Sequence, residues 1–296
     1  MTSVAFLGLG AIGRPMAARI AAAGHTLAVW NRTTERATSF AAEHGARVAS
    51  SPRDAAQGAA IVITCLPTSR EVEQLLEGPD GLLAGLASGT IFLDCTSGDP
   101  ATSKRIAAKL GERDVAFMDA PVSGGVVGAE QGILTVMCGG DETVLERARA
   151  VLESFGKKIV HCGPIGAGHA LKAINNALLA IHVWSTAEGL AALQKAGVRP
   201  DVALDVINAS SGRSNASMNL FPERVLTRAF PRTFRLALLD KDVGIAAGVA
   251  REQRVPAPVL QLTAELMTAA RAALGEVADH VEMVKVVEQW AGTEIR

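Results

Sequence analysis

Tyrosine is absent from this chain of 296 residues, and aromatic residues make up only 4% of it. The absence excludes every mechanism that uses a tyrosine as general acid, including the Tyr/Lys pair of short-chain dehydrogenases. Cysteine is also scarce: Cys65, Cys95, Cys138 and Cys162 occur singly, after apolar runs, and form no CxxC pair. This spacing favours reduced thiols in a reducing compartment over disulfides or zinc ligands.

Neither sign of charge dominates, since 29 Lys plus Arg face 30 Asp plus Glu without long runs of one sign. We therefore expect no binding to nucleic acid or to a membrane surface. No run of about 18 apolar residues occurs, and the opening MTSVAFLGLGAIG has no basic leader or cleavage pattern. We expect a cytoplasmic protein with a small-molecule partner. The six histidines form no ligand-like cluster, so we predict no metal site.

The hydrophobic pattern changes near residue 163. Residues 1–163 alternate short β-rich runs with helical stretches, which is typical of a mostly parallel, doubly wound sheet. From about residue 166 the periodicity is helical only. We predict an α/β domain over 1–163 and an all-α domain over 164–296, joined directly by the first long helix, with the active site where the domains meet.

The boundaries of the elements follow from the same patterns. The predicted strands are 3–8, 26–30, 60–66, 90–94, 116–120 and 133–139. The predicted helices of the second domain are 168–196, 200–209, 222–229, 236–253, 257–274 and 279–291.

A glycine-rich loop follows the first strand and leads into an Ala-rich helix. Its Gly8, Gly10 and Gly13 have the GxGxxG spacing, which provides a tight turn, close approach of a pyrophosphate and close helix packing. This context predicts a Rossmann-type dinucleotide site; a glycine-rich turn without a ligand is the alternative. The candidate residues are Gly8, Leu9, Gly10, Ala11, Ile12 and Gly13.

The second strand leads into Asn31, Arg32 and Thr33, where NAD-preferring domains usually have Asp or Glu. Arg32 can pair bidentately with a 2′-phosphate, and Asn31 and Thr33 can add hydrogen bonds. We therefore predict that the cofactor is NADP(H) rather than NAD(H). A solvated surface arginine is the alternative interpretation of Arg32.

Four stretches together make the chain resemble the β-hydroxyacid dehydrogenase family over nearly its whole length. They are GLGAIGRPMA (8–17), DAPVSGGVVGAEQGILTVMCGG (119–140), GAGHALKAINN (166–176) and FRLALLDKDVGIA (234–246). The family includes 3-hydroxyisobutyrate dehydrogenase, tartronate semialdehyde reductase, glyoxylate and succinic semialdehyde reductases and, more distantly, 6-phosphogluconate dehydrogenase. The resemblance implies a homodimer or homotetramer.

Two positions depart from the family's pattern. Ile12 stands where the phosphate loop commonly has methionine, and because both are apolar we expect no functional effect. Asn215, in SSGRSNASMNLFP (210–222), stands where many relatives have an aromatic residue. That segment approaches the substrate end of the cleft in the family, so this departure leaves the substrate open.

The resemblance implies that Lys172 is the general acid in carbonyl reduction and the base in alcohol oxidation, with Asn176 holding the substrate from the same helix face. The helix dipole and partial burial both disfavour an ammonium group, as proton exchange near neutral pH requires. A lysine that snorkels from an amphipathic helix is the alternative.

Further roles are implied by the resemblance. Ser123 and the backbone N–H groups of Gly124 and Gly125 are expected to cradle the substrate carboxylate, with an ordinary turn as the alternative. Residues implied at the cofactor are Leu66, Pro67, Thr96, Ser97 and Lys241; Asp242 and Phe234 are implied near the substrate. A surface salt bridge for Lys241 and Asp242, and a core position for Phe234, are the alternatives.

These observations predict an oxidoreductase that transfers hydride between NADP(H) and a small β-hydroxyacid or its semialdehyde. A 3-hydroxyisobutyrate dehydrogenase-like activity comes first, with tartronate semialdehyde, succinic semialdehyde or glyoxylate reduction close behind. Lys172 argues against an imine reductase, and the chain is too short for a decarboxylating sugar-phosphate enzyme. A dinucleotide sensor without enzymatic activity is the alternative from another class.

Overall fold

The computed structural model describes all of residues 1–296, which form two compact units, Met1–Lys172 and Ala173–Arg296. The division lies inside a continuous helix of 29 residues, Ala167–Lys195. The last strand ends at Gly163, where the hydrophobic pattern changes. One helix therefore runs out of the first unit and into the second.

A sheet of nine strands forms the centre of the first unit. The strands are β1 (Ser3–Leu7), β2 (Thr26–Trp30), β3 (Arg47–Val48), β4 (Ile61–Thr64), β5 (Ile91–Asp94), β6 (Ala116–Asp119), β7 (Val122–Ser123), β8 (Leu134–Gly139) and β9 (Gly156–Gly163). Their order is β3-β2-β1-β4-β5-β6-β8-β7, with β9 paired to β8. The strands from β3 to β6 in that order are parallel, whereas β8 is antiparallel to β6 and β7.

Seven helices accompany the sheet. They are α1 (Gly13–Ala22), α2 (Thr34–His44), α3 (Pro52–Ala56), α4 (Ser69–Leu76), α5 (Pro100–Gly111), α6 (Gly125–Gln131) and α7 (Glu142–Leu152), with a short 3₁₀ turn at Leu82–Ala84. Alternate residues of each central strand enter two separate apolar clusters: Phe6 and Ile63 belong to one, Leu7 and Val62 to the other. Both faces of the sheet are therefore buried, which explains strands that are apolar throughout.

The second unit contains only helices. Its elements are the main part of α8 (Ala167–Lys195), then α9 (Pro200–Asn208), a π-helix (Ala216–Val225), α10 (Leu236–Glu252), α11 (Pro258–Leu274), a 3₁₀ turn (His280–Met283) and α12 (Val284–Ala291). Trp184, Phe221, Leu239 and Met267 are among the buried side chains of its core. The predicted fold class, a Rossmann-type sheet followed by an all-α region, is confirmed.

The six predicted strands are all present, but the pattern missed β3, β7 and β9. The first two have only two residues each, which is too short for a period-2 signal. β9 reads GKKIVHCG, and its Lys157 and Lys158 are exposed. Lysines suit a strand with one sheet neighbour, but they interrupt the apolar run that a buried strand shows.

The prediction of a helix over 222–229 is wrong. The chain instead forms the π-helix Ala216–Val225, with Pro222 inside it rather than at its start. Ser214 and Ser217 cap its beginning reciprocally, since each backbone N–H donates to the other's hydroxyl at 2.8 and 3.1 Å. The capping box that marks a helix start in a sequence has Glu or Gln at the position of Ser217, so the spacing did not indicate this earlier start. The predicted helix 279–291 is also divided, into a 3₁₀ turn and α12.

The four cysteines are free thiols. Burial raises the pKa of Cys65 and of Cys138 to about 12. Thiols of this kind are poor nucleophiles, so they behave as small apolar side chains. Separately, no helix is long and apolar enough to cross a membrane.

The buried carboxylate of Asp279 joins distant parts of the second unit. It accepts hydrogen bonds from the backbone N–H groups of Thr233 and Phe234 at 2.7 and 2.9 Å and pairs with His280 at 3.0 Å. Burial by itself raises the pKa of Asp279, but the contact with His280 and these backbone donors outweigh it and hold the pKa well below its usual range. This carboxylate therefore stabilises the approach to α10.

We expect Asp279→Asn to lower the free energy of unfolding by about 2 kcal/mol at neutral pH, because charge-assisted hydrogen bonds are lost. The pKa of Asp279 in the folded protein lies below its usual value of 3.8. The extra stability of the wild type is therefore complete above about pH 3.8 and is lost as the pH falls from there toward the folded pKa. Urea unfolding of both proteins between pH 3 and 7 measures this. Asp201→Asn, at an exposed ion pair of the same unit, is the matched control; equal effects of the two substitutions would contradict the prediction.

Candidate active site

The glycine-rich loop lies at the carboxyl end of β1, between β2 and β4. A Cβ atom on Gly8, whose φ is +108°, would lie 2.3 Å from the Cys65 carbonyl oxygen. One on Gly13 would lie 2.0 Å from the Gly8 carbonyl oxygen. A Cβ on Gly10 would meet no atom within 4 Å. Gly8 and Gly13 therefore serve the packing of the loop, and the backbone at Gly10 is open to a ligand.

The helices that follow this loop and β2 have uncapped N-termini. Ile12 and Thr33 occupy the N-cap positions of α1 and α2, and neither helix has a side-chain cap. By contrast, side chains cap α3, α4, α5 and α7. The backbone N–H groups of Ala11 and Ile12 donate to no protein acceptor. The loop therefore fits the pyrophosphate of a dinucleotide, because free N–H groups and the helix dipole both favour an anion.

The polar residues after β2 differ in what they do. The Asn31 side-chain oxygen accepts from the Leu9 backbone N–H at 2.9 Å, and its amide nitrogen donates to the Thr33 carbonyl at 2.9 Å. Asn31 thus braces the phosphate loop. Arg32 is exposed, and its guanidinium has no hydrogen bond or ion pair within the protein. Arg36, in the first turn of α2, is a second exposed cation that sequence reasoning missed, although its i+4 spacing from Arg32 was the signal.

The loops after β4 and β5 are joined by hydrogen bonds. The Leu66 backbone N–H donates to the Thr96 hydroxyl at 3.1 Å, and the Thr96 backbone N–H donates to the Asp94 carboxylate at 3.0 Å. Thr96 is buried, so its side chain serves the loop itself. Pro67 and Ser97 follow directly in these two loops. The structure therefore brings together four of the five residues that the resemblance implied at the cofactor, and the fifth, Lys241, lies in the second unit.

Ser123 lies in β7, paired with Thr135 of β8, and α6 begins two residues later at Gly125. The segment is thus more than the ordinary turn considered above. Gly124 and Gly125 both have positive φ, +135° and +66°, and both are exposed. Successive glycines of this kind turn backbone N–H groups toward solvent, as an anion nest requires.

Lys172 and Asn176 lie one turn apart on α8, and both are buried. The Asn176 amide nitrogen donates to the Asp242 carboxylate at 2.7 Å, and its oxygen accepts from Asn175 at 3.2 Å. The protein itself therefore provides partners for both ends of the Asn176 amide. Lys241 pairs with the other Asp242 oxygen at 3.0 Å, and because Asp242 is buried this is not a surface salt bridge.

Phe234 is partly buried in the second unit. Its ring lies 5.5 Å from the His280 ring and packs against the apolar core of the second unit. Its backbone N–H donates to Asp279. The structure therefore gives Phe234 a packing role next to the segment that leads into α10.

The start of α8 is held by Asp119, to which sequence reasoning assigned no role. Its two carboxylate oxygens accept from the backbone N–H groups of Gly166 and His169 at 2.6 and 2.8 Å. An acidic residue at the end of a buried strand, in a segment that carries the resemblance, was the signal. Burial raises the pKa of Asp119.

Comparison with known families accounts for nearly the whole chain. Residues 3–163 match the model of the NAD-binding domain of 6-phosphogluconate dehydrogenase. Residues 166–287 match the model described as NAD-binding of NADP-dependent 3-hydroxyisobutyrate dehydrogenase. The chain belongs to the β-hydroxyacid dehydrogenase family. It is a dehydrogenase that acts on hydroxyl groups and contains NAD(P)-binding domains.

Individual members of the family match along most of their length. The chain is 34% identical to 2-(hydroxymethyl)glutarate dehydrogenase of Eubacterium barkeri, covering 99% of this chain and 97% of that one. It is 39% identical to the NAD-dependent L-serine dehydrogenase of Pseudomonas aeruginosa, covering 90% and 91%. The structure of Mycobacterium tuberculosis 3-hydroxyisobutyrate dehydrogenase with L-serine matches with a TM-score of 0.88 and 34% identity, covering 97% and 99%.

We expect Asn31→Ala to weaken the binding of NADPH and of NADH by a similar factor, about fivefold. The substitution removes the acceptor of the Leu9 N–H, which costs about 1 kcal/mol and loosens the phosphate loop used for either dinucleotide. Fluorescence titration with both cofactors measures the two Kd values. Asn219→Ala, at an exposed asparagine of the second unit, is the control. A loss confined to NADPH would contradict a bracing role.

Proposed function

We propose that this enzyme interconverts a small β-hydroxyacid and its semialdehyde with NADP(H), and that Lys172 is the general acid and base. The observation that carries the proposal is a buried lysine one turn before a buried asparagine whose amide is hydrogen-bonded to Asp242. The cofactor, when bound, accepts or supplies the hydride at nicotinamide C4. The chain's own residues then have to orient the substrate and move one proton.

In this proposal, Lys172 transfers the proton to or from the substrate oxygen. Its Nζ gives a proton to the carbonyl oxygen when the semialdehyde is reduced and takes one from the hydroxyl when the alcohol is oxidised. Lys172 lies in the second turn of α8, so the positive end of the helix dipole and its burial both favour release of the proton. An arginine at this position would keep its charge but could not exchange a proton near neutral pH.

The substrate carboxylate is assigned to Ser123 and to the backbone N–H groups of Gly124 and Gly125. Exposed positive-φ glycines beside a hydroxyl provide several hydrogen-bond donors without a net charge. Asn176 is assigned to the substrate hydroxyl. Because Asp242 holds its NH₂ group, its side-chain oxygen is fixed in orientation and keeps a lone pair that can accept from that hydroxyl.

The preference for NADP(H) rests on the residues at the start of α2. The Arg32 guanidinium is exposed and not paired within the protein, and the N-terminus of α2 has no side-chain cap. A 2′-phosphate supplies the charge that this guanidinium and these backbone N–H groups favour. One relative of this chain, the NAD-dependent L-serine dehydrogenase, is named for the other cofactor.

The proposed substrate class is supported by what the relatives' names have in common. 3-Hydroxyisobutyrate, L-serine and 2-(hydroxymethyl)glutarate all contain a hydroxymethyl group on the carbon next to a carboxylate, and differ only in the third substituent of that carbon. We assign this chain to substrates of that form, with 3-hydroxyisobutyrate first. Tartronate semialdehyde reduction fits the same form with a hydroxyl as substituent. Succinic semialdehyde and glyoxylate lack that form and come after it.

The remaining features of the enzyme are assigned from its surface and its thiols. Trp290, Leu262 and Val259 expose apolar side chains on the second unit, which favours a homodimer or homotetramer. Four free thiols favour a reducing, cytoplasmic location.

The experiment that tests the activity is a substrate panel. Purified enzyme is assayed with NADP⁺ and NAD⁺ against 3-hydroxyisobutyrate, serine, glycerate and 2-(hydroxymethyl)glutarate, and in reduction against tartronate semialdehyde, succinic semialdehyde and glyoxylate. We expect turnover of at least one hydroxymethyl acid. If no compound is turned over while NADPH still binds, the dinucleotide sensor without enzymatic activity becomes the better function.

On the best substrate of that panel, we expect Lys172→Ala to lower kcat by three or more orders of magnitude, because the proton donor is lost. The Kd for NADPH should stay within about threefold. Lys172→Arg should be similarly inactive, and Lys195→Ala, in the last turn of the same helix, serves as the control. Turnover by Lys172→Ala within tenfold of the wild type would remove Lys172 from the mechanism.

We expect Arg32→Asp to shift the ratio of kcat/KM for NADPH over NADH by about 100-fold or more toward NADH. The change removes the partner of the 2′-phosphate and places a carboxylate where ribose hydroxyls can donate to it. Steady-state kinetics with each cofactor measure the ratio, and Asn31→Ala should leave it nearly unchanged. An unaltered ratio in Arg32→Asp would restore the interpretation of Arg32 as a solvated surface residue.

A further inference from the structure

Two buried polar atoms face each other in the first unit without a hydrogen bond. Asp94 Oδ2 and His169 Nε2 are 4.0 Å apart, and both side chains are 1% exposed or less. Leaving such atoms unpaired inside a protein is costly because they lose their hydrogen bonds to water, so most are satisfied. The pair therefore calls for a physical explanation, and the mechanism above uses neither atom.

The other polar atoms of these side chains are already engaged. Asp94 Oδ1 accepts from the Thr64 hydroxyl at 2.9 Å and from the Thr96 backbone N–H at 3.0 Å. His169 Nδ1 lies 2.7 Å from the Ser103 hydroxyl oxygen, in a hydrogen bond whose direction depends on the imidazole tautomer, and that hydroxyl oxygen also lies 3.1 Å from the Asp99 carbonyl oxygen. His169 Nδ1 therefore has a partner in either tautomer. The His169 nitrogen that remains is the one that faces Asp94.

The surroundings hold the imidazole in this place. A Cβ atom on Gly98 would lie 2.6 Å from His169 Cε1, so the ring packs directly against the backbone of the loop that contains Ser97. The His169 backbone N–H donates to Asp119 at 2.8 Å. The ring is therefore held between the loop after β5 and helix α5, and the backbone of His169 is held by the buried carboxylate of Asp119.

We propose that one proton lies between His169 Nε2 and Asp94 Oδ2, and that this hydrogen bond positions the start of α8 against the end of β5. The separation of 4.0 Å is longer than a hydrogen bond, and a closure of about 1 Å brings the atoms into the range of a charge-assisted bond.

This bond completes a continuous connection within the first unit. Leu66 is tied to Thr96, Thr96 to Asp94, Asp94 to His169, and His169 lies one helical turn before Lys172. The loops assigned to the cofactor are thereby coupled to the helix that carries the assigned proton donor. His169 and Asp94 are positioning residues in this account, which rests on the proposed function of Lys172.

The first test needs no kinetics. In ¹H NMR spectra of the protein without cofactor, selectively labelled at histidine, we expect a slowly exchanging downfield resonance from the shared proton. It should be absent from Asp94→Asn and His169→Gln, and present in Lys172→Ala and in His25→Gln, the matched histidine control outside the network. A wild-type spectrum without this resonance overturns the proposed bond, whatever the role of Lys172.

The second test is a double-mutant cycle on the best substrate. We expect Asp94→Asn and His169→Gln each to lower kcat by about 10- to 100-fold, since a displaced donor reacts poorly, while KM and the Kd for NADPH change less than about threefold. Because each substitution removes the same hydrogen bond, the kcat of the double variant should lie within about twofold of the kcat of the less active single variant. Multiplicative losses, or kcat of His169→Gln within twofold of wild type, overturn the positioning role. If Lys172→Ala is fully active while the resonance persists, the proposed function fails and the bond stands.

Discussion

The buried carboxylate of Asp119 accepts hydrogen bonds from the backbone N–H groups of Gly166, just before α8, and of His169, in its first turn, and much of the candidate site depends on that contact. A charge taken out of water has to be matched by hydrogen bonds, and the start of a helix offers donors with no acceptor of their own. The contact is close: a Cβ on Gly139 or Gly168 would lie within 2.6–2.9 Å of the Asp119 carboxylate. The GAG that opens the 166–176 stretch therefore reflects helix anchoring, and Lys172 and Asn176 follow from it.

Several polar side chains that the sequence pattern assigns to ligand binding instead form hydrogen bonds within the protein. Asn31 braces the phosphate loop, Thr96 joins two loops, and Asn176 is held by Asp242. Arg32 and the backbone at Gly10 are instead open to a ligand. The difference is physical, because a group that orients a site needs partners within the protein, whereas a group that binds an anion has to keep its donors available.

Much of the fold was predictable because its signals are local. The parallel strands are short apolar runs, and the dinucleotide loop is defined by glycine spacing, so both can be read from neighbouring residues. The π-helix at 216–225 was not predicted, since Pro222 resembles a helix start and the reciprocal Ser214–Ser217 cap becomes evident only when both side chains are placed. β9 was missed because its two exposed lysines interrupt the apolar run by which the other strands were recognised.

The amino-acid sequence by itself determined the fold class, the family, the dinucleotide loop and the helix position of Lys172, because each depends on residue type at a fixed spacing. Only the tertiary structure decided which polar groups are partners of one another. Asp94, Asp119 and His169 are 25 or more residues apart along the chain. They meet because β5 and β6 end, and α8 begins, at the same edge of the sheet in the first unit. Contacts of that kind depend on strand order, which no local pattern encodes.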